Sequence, residues 1–241
     1  MEVENGTWIM QGLDWDDPSC IHTADELFRV IKDIGFLPLF SNEVKGFSVE
    51  EMTNPACWWT GDTETDPWEW RAILARRKDI AYGKFFNKKA GFISKKWFPY
   101  FANYRRDGYD FDARFEDGKA EHRENLIMKL FQSDEKELFS YEVKSLAGFG
   151  KGGEKNFEGT LAKLQMQTYL TVRDFRQKLN KRGEGYGWAI AVYTLPESLW
   201  GYDFVTGRYS ETPEDSLQKI IKNVKKHFRD TEEHDIQRVI R

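Results

Sequence analysis

The 241-residue chain has little cysteine, histidine or proline, and no long apolar run. Its two cysteines, Cys20 and Cys57, are too few for a disulfide framework and match no zinc spacing. Each reads as a buried thiol. The four histidines, His22, His122, His227 and His234, are scattered and form no ligand pair, so neither a metal nor another cofactor is expected. No apolar segment approaches the ~20 residues that cross a bilayer. The acidic start Met1-Glu-Val-Glu-Asn lacks the apolar stretch of a secretory signal. The chain therefore reads as cytoplasmic, without a membrane partner. Gly148-Phe-Gly-Lys-Gly-Gly153 lacks both the spacing of a phosphate loop and a preceding strand, so it reads as a turn.

Aromatic residues are plentiful: nine Trp, ten Tyr and eighteen Phe, 15 % of the chain. That excludes a disordered protein. The length suffices for a large hydrophobic core in one or two domains.

The net charge of −4 excludes an indiscriminate polyanion binder, but it conceals a sharp division. Residues 1–70 hold 3 basic and 15 acidic side chains, and residues 71–106 hold 11 basic and 1 acidic. Two arrangements fit this division. The basic stretch forms a local positive surface that attracts a polyanion. Alternatively, it folds against the acidic first 70 residues and neutralises itself.

Punctuation along the chain gives an order of elements. Residues 1–22 read as an irregular arm. Thr23-Ala-Asp-Glu26 is a helix start, followed by Leu27, Phe28, Ile31 and Ile34 at helical spacing, and Gly35 closes the helix. Phe36-Leu-Pro-Leu-Phe40 reads as an extended connector, and a short helix begins near Phe47. Asp66 before Pro67 predicts an N-cap and a first helical proline. A basic helix then runs to Lys78. Residues 80–86 and 92–94 read as strands around a turn at 87–91, and Trp97–Tyr104 as an aromatic helix or turn. Residues 107–119 read as a linker. The second half repeats the order: a helix over 120–132, a short helix from Ser140, and a helix from Phe157 capped by Asn156. A strand at 169–172, a basic hairpin tip over 173–185 and a returning strand at 186–193 follow. Thr212 and Pro213 start a last helix, which runs to about Arg229. The pattern predicts an α+β protein of two tandem winged-helix-like units, residues 23–106 and 120–200, with a C-terminal helical extension over 201–241.

Several stretches resemble the AlkZ/YcaQ-type winged-helix DNA glycosylases, and more narrowly their AlkZ-related relatives. They are Ile34-Gly-Phe-Leu-Pro-Leu-Phe40, Trp59-Thr-Gly-Asp-Thr-Glu-Thr-Asp-Pro-Trp-Glu-Trp-Arg71, Gly91-Phe-Ile-Ser94 and Tyr186-Gly-Trp188. The resemblance implies tandem winged helices around a DNA channel and excision of alkylated or crosslinked bases. The family's Gln-x-Gln signature followed by Asp-Pro corresponds to Thr63-Glu64-Thr65-Asp66-Pro67. Here threonines stand in place of the glutamines. A glutamine amide both donates and accepts, and so can hold a water; a threonine hydroxyl can do so on a shorter arm. Gln165-Met-Gln167 lies in the wrong place for this motif.

Asp62, Glu64 and Asp66 are the candidate catalytic carboxylates, as bases or water-holders. Trp59, Thr63, Thr65, Trp68 and Trp70 are the candidate pocket for an extruded base. The same residues also suit helix capping and core packing. Candidate phosphate contacts are Arg71, Arg76, Arg77, Lys78, Lys84, Lys88, Lys89, Lys95 and Lys96, with Arg173, Arg176, Lys178, Lys181 and Arg182 on the second hairpin. Tyr186, Trp188, Tyr193 and the aromatics of 97–104 read as core. DNA is the expected partner, and the oligomeric state is left open. A non-enzymatic DNA-binding regulator and a peptide- or small-molecule-binding module are the alternatives.

Overall fold

The computed structural model describes residues 2–4, 7–132 and 136–241. Glu2–Glu4 (β1) and Thr7–Ile9 (β2) pair as a short antiparallel hairpin, which corrects the reading of residues 1–22 as irregular throughout. The first helix, α1 (Ala24–Ile34), starts where its cap predicts: Thr23 Oγ1 accepts from the Glu26 N–H at 3.2 Å. Gly35 ends it with φ +98°, and a Cβ there would lie 2.3 Å from the Trp97 ring. Only glycine fits that turn.

Phe36–Pro38 (β3) is a true edge strand rather than a bare connector, and its proline is tolerated because it is at the edge. The helix expected near Phe47 is only a 3₁₀ turn at Glu50–Met52. Asp66 and Pro67 open α2 (Pro67–Ala75) as predicted. The strands β4 (Ile80–Phe86) and β5 (Lys89–Ser94) turn through Asn87 and Lys88, both with positive φ, so the turn is two residues rather than five. α3 (Phe98–Arg106) follows.

The expected linker 107–119 contains a helix, α4 (Phe111–Glu116). The 120–132 helix is shorter than its pattern: α5 (His122–Met128) tightens into one 3₁₀ turn at Lys129–Phe131. Then come β6 (Leu138–Phe139), α6 (Ser140–Leu146) and α7 (Phe157–Met166). Asn156 does not cap α7 with its side chain; it adopts the left-handed conformation instead. β7 (Thr171–Leu179) and β8 (Gly185–Thr194) are long strands, so Arg173, Arg176 and Lys178 lie on β7 and only residues 180–184 form the tip. α8 (Pro196–Trp200), α9 (Tyr202–Val205), α10 (Pro213–His227) and an additional α11 (Glu233–Ile240) complete the chain. Thr212 and Asp215 cap α10 reciprocally.

Six strands form one antiparallel sheet in the order β3-β5-β4-β7-β8-β6. The two long hairpins join where Tyr82 pairs with Val172. Thr171 Oγ1 donates to the Tyr82 carbonyl at 3.0 Å, and Gln165 Oε1 accepts from the Lys84 N–H at 3.0 Å. Gly91 lets β5 pass under the Phe86 ring, 2.4 Å from where a Cβ would stand. One apolar cluster spans both halves, including Leu27, Phe36, Phe92, Phe101, Leu164, Tyr193 and Ile220. The aromatics Phe98 and Phe101 are core, as read, while Trp97, Tyr100 and Tyr104 are half-buried against it. Among the described residues, no helix is long and apolar enough to cross a membrane.

Candidate nucleic-acid interface

The loop before α2 separates the three candidate carboxylates. Asp66 is fully buried. Its Oδ1 accepts from the Trp68 N–H at 2.8 Å, and its Oδ2 from the Gly61 N–H at 3.0 Å and the Thr60 hydroxyl at 3.5 Å. Its carboxylate closes the loop and caps the helix. Asp62 is exposed and accepts from the Glu64 N–H (3.0 Å) and the Thr65 hydroxyl (2.7 Å). These bonds hold its carboxyl below the usual range. Glu64 and Thr63 are exposed, and the Glu64 carbonyl accepts from Trp70 Nε1 at 3.0 Å.

The tryptophans divide likewise. Trp70 is fully buried, so it belongs to the core and not to a pocket wall. Trp59 is 51 % exposed and has φ +60°, a strained conformation for a bulky residue. Its ring centre lies 6.4 Å from that of Trp68. Trp68 carries the Arg71 guanidinium on its face at 3.4 Å, and the same guanidinium lies 4.5 Å from the Phe175 ring centre. Burial pulls the Arg71 pKa down.

The basic residues fall into engaged and unengaged groups. Arg76 Nε binds Asp174 Oδ1 at 2.6 Å, and Arg176 bridges Asp174 (2.7 Å) and Glu137 (2.6 Å). Arg173 donates to the Ala75 and Arg76 carbonyls. Arg77 pairs with Asp25. Burial would raise the Asp174 pKa, but the hydrogen bonds from Arg76 and Arg176 outweigh it and lower the pKa. Neutralisation thus comes partly from the acidic N-terminal stretch, through Asp25, and partly from the second half. Lys78, Lys84, Lys88, Lys89, Lys95, Lys96, Lys178, Lys181 and Arg182 make no ion pair among the described residues. Lys88 lies in the β4–β5 turn, with Lys89 opening β5. Lys95 and Lys96 join Lys32 and Arg208 around a cavity of about 670 Å³, with Lys95 Nζ 4.7 Å from the Phe204 ring centre.

The outer end of the β7–β8 hairpin departs most from the sequence reading. Trp188 is 93 % exposed, Leu179 68 % and Tyr186 52 %, whereas Tyr193 is buried as read. The strand pattern alone cannot show that the core ends near Ile190, leaving the hairpin beyond it open to water on both faces. Lys178 packs over the half-exposed Tyr141 ring at 4.3 Å, with Lys181 and Arg182 at the tip.

A cavity of about 870 Å³ lies elsewhere, between the end of α3, α4 and α8–α9. Arg106, 1 % exposed, reaches it from α3. Its Nη2 donates to the Thr168 carbonyl at 2.6 Å, and its Nη1 pairs with Glu197. Burial works against the Arg106 charge, but the Glu197 carboxylate more than offsets it, so the pKa is raised. The Tyr202 hydroxyl donates to Asp110 at 2.8 Å and is pushed up to about 12, chiefly by that bond. None of these residues was a sequence candidate, because Arg106, Asp110, Glu197 and Tyr202 share no motif. Among the described residues, no group of three or more His, Cys, Asp or Glu side chains could hold a metal ion.

Residues 21–241 match the family model described as AlkZ related. No curated protein and no solved structure matches the chain. The family match spans nearly the whole sequence, including the 59–71 loop, both long hairpins and the Arg106 cavity, and the chain therefore belongs to the AlkZ-related family.

Proposed function

We propose that the protein binds duplex DNA and excises damaged bases, alkylated or crosslinked, as a glycosylase. In this reading residues 23–106 and 120–200 act as two tandem winged-helix-like units. Residues 107–119 join them, 1–22 form an arm, and 201–241 are an extension whose helices α10 and α11 pack on the first unit. The hairpins β4–β5 and β7–β8 are the two wings.

The observation that carries this reading is the outer β7–β8 hairpin. Leaving an apolar side chain the size of Leu179 in water forgoes roughly 1.5–3 kcal/mol of burial, and Trp188 and Tyr186 are exposed beside it. Exposed apolar groups interleaved with Lys178, Lys181 and Arg182 suit a duplex: wedges enter between base steps while the cations neutralise phosphates. Lys95 and Lys96, without an ion pair among the described residues, stand with Lys32 and Arg208 around a cavity that also holds Asp79 and Asp203, and its cationic excess adds a second phosphate-binding surface.

An extruded base would stack on Trp59 and Trp68. Asp62, ionised at neutral pH, and the exposed Glu64 are the carboxylates able to take a proton from water as its oxygen attacks the sugar C1′. The bond electrons then leave with the base nitrogen. Asp66 holds this loop in place. The second reading is a DNA-binding protein without excision activity. It is favoured by the burial of Asp66 and by threonines, not amides, at positions 63 and 65.

The test titrates a labelled duplex at two salt concentrations, then assays alkylated and crosslinked duplexes for base release. Release that falls in Asp62→Asn and Glu64→Gln supports glycosylase action from this loop. Salt-sensitive binding without release supports the second reading. Absence of binding at low salt overturns both and leaves the small-molecule or peptide module.

A further inference from the structure

We infer that Gln177 is a positioning residue that mounts Trp188 as a single wedge on the β7–β8 hairpin. This rests on the DNA-binding reading and adds to it the side chain that enters the base stack and the residue that aims it. Arg176 pairs with Ile190 and Lys178 with Tyr186, so that one residue of β7, Gln177, faces three of β8, Gly187, Trp188 and Ala189. β8 thus carries two extra residues here, with Trp188 at the middle of the bulge. A bulge bends its strand and re-aims the side chain it carries.

The stretch Gly185-Tyr-Gly-Trp188 supplies what this bulge needs. Gly187 has φ +73°, a conformation that favours glycine. Gln177 Nε2 donates to the Gly187 carbonyl at 2.8 Å, which ties the bulge back to β7. Gln177 reaches it by lying against Gly185, where a Cβ would stand 2.4 Å from Gln177 Oε1. Only a residue without a side chain leaves that room. None of this serves the core. Gln177 and residues 185–189 are exposed, and Trp188, at 93 % exposure, packs against almost nothing. The clamp therefore fixes the backbone under a side chain that has no internal use. Its effect falls on a partner: a tryptophan on a loose strand loses backbone freedom when it enters a duplex, and fixing the bulge beforehand removes part of that cost. Lys178, Lys181 and Arg182 act on phosphates, whereas Gln177 and Trp188 are uncharged. The two contributions therefore separate by their salt dependence.

The test measures affinity of the full chain for a labelled duplex across salt concentrations. Gln177→Met keeps the length of the side chain and removes its amide. It should weaken binding about threefold or more, the size of one lost hydrogen bond. The salt slope should not change, because no cation is lost, and the urea midpoint should not change, because the site is exposed. In a Trp188→Ala background the same substitution should alter affinity by less than about 1.5-fold, since nothing is left to aim. Gly187→Ala strains the same bulge without touching Gln177. It should show the same dependence on Trp188, and it supplies the readout if Gln177→Met does not fold. Losses that multiply in the double variants, an unchanged affinity in Gln177→Met, or an altered salt slope would overturn the inference and leave the DNA reading standing. No binding by the parent protein at low salt would overturn the DNA reading and the inference with it.

Discussion

The Arg71 guanidinium stacks 3.4 Å from the centre of the Trp68 ring, on the same helix and three residues back along the chain. The guanidinium also lies 4.5 Å from the ring centre of Phe175 on β7, and Arg71 Nε donates to the Trp68 carbonyl at 2.8 Å. One side chain therefore fastens α2, and with it the Trp59 loop, to the strand that continues into the exposed hairpin. Flat delocalised cations stack this way, whereas a lysine ammonium does not. Arg71→Lys should lower stability by about 1–2 kcal/mol in urea unfolding. If Arg71 were chiefly a phosphate contact, the charge-conserving lysine would leave stability unchanged.

Asp66 should behave as a cap and not as a base. Asp66→Ala removes three hydrogen-bond acceptor contacts and should cost about 1–2 kcal/mol or more. Asp66→Asn keeps an acceptor for the helix and should recover much of that loss. Base release, if present, should track folded protein in both variants. A folded Asp66→Asn with no activity would return this residue to the chemistry.

Trp188→Ala should leave the unfolding midpoint nearly unchanged, within about 0.5 kcal/mol, because the side chain is 93 % exposed. DNA affinity should fall about tenfold or more, in line with the ~1–3 kcal/mol typical of aromatic stacking on a base. Lys181→Gln/Arg182→Gln should instead flatten the salt dependence, reducing its slope by about 0.9 for each phosphate that is no longer neutralised. Unchanged affinity in all these variants would remove the hairpin from the interface.

Glu197→Ala leaves Arg106 buried without its counter-ion. Breaking a buried pair in this way costs roughly 3–5 kcal/mol, so the variant should be largely unfolded or show a markedly lower midpoint. Glu197→Gln keeps an acceptor and should lie between it and the parent. A near-normal midpoint for the alanine variant would mean that Arg106 finds water or another acceptor.

The Arg76–Asp174–Arg176 cluster makes stability depend on pH. Asp174 has a carboxyl pKa lowered in the folded state, so it binds fewer protons folded than unfolded. Its contribution is therefore complete above the unfolded value of about 3.9 and is lost as pH falls through the lower folded value. Urea midpoints measured from pH 6 down to pH 3 should fall less steeply in Asp174→Asn than in the parent. Parallel curves would show that the cluster contributes nothing to the acid limb.

Local signals carried much of the fold. Thr23, Asp66 and Thr212 start helices where their caps predict, because a cap needs only neighbours a few residues away. The β4–β5 hairpin follows from two strand-like runs around a turn, whereas the β7–β8 hairpin was legible only at its base, its expected tip over 173–185 shrinking to 180–184. Elements whose identity depends on distant partners were not readable: β3 and β6 are two or three residues long and exist through pairing with β5 and β8. The helix within 107–119 is held by Phe111 packing edge-on against Tyr169, almost sixty residues away, which no local period reveals.

The candidate site was legible in outline and altered in its assignments. Sequence by itself determined the charged and aromatic inventory, the Asp66 cap and the kinship of residues 21–241 to the AlkZ-related family. Only the tertiary structure decided which charges remain available. A carboxylate or guanidinium acts on a ligand only if no internal partner already holds it, and those partners lie up to about a hundred residues away: Asp174 for Arg76, Glu197 for Arg106. Exposure was decided in the same way. One strand, β8, buries Tyr193 and leaves Trp188 in water, because the core ends between them. The position of that boundary depends on how the whole chain packs.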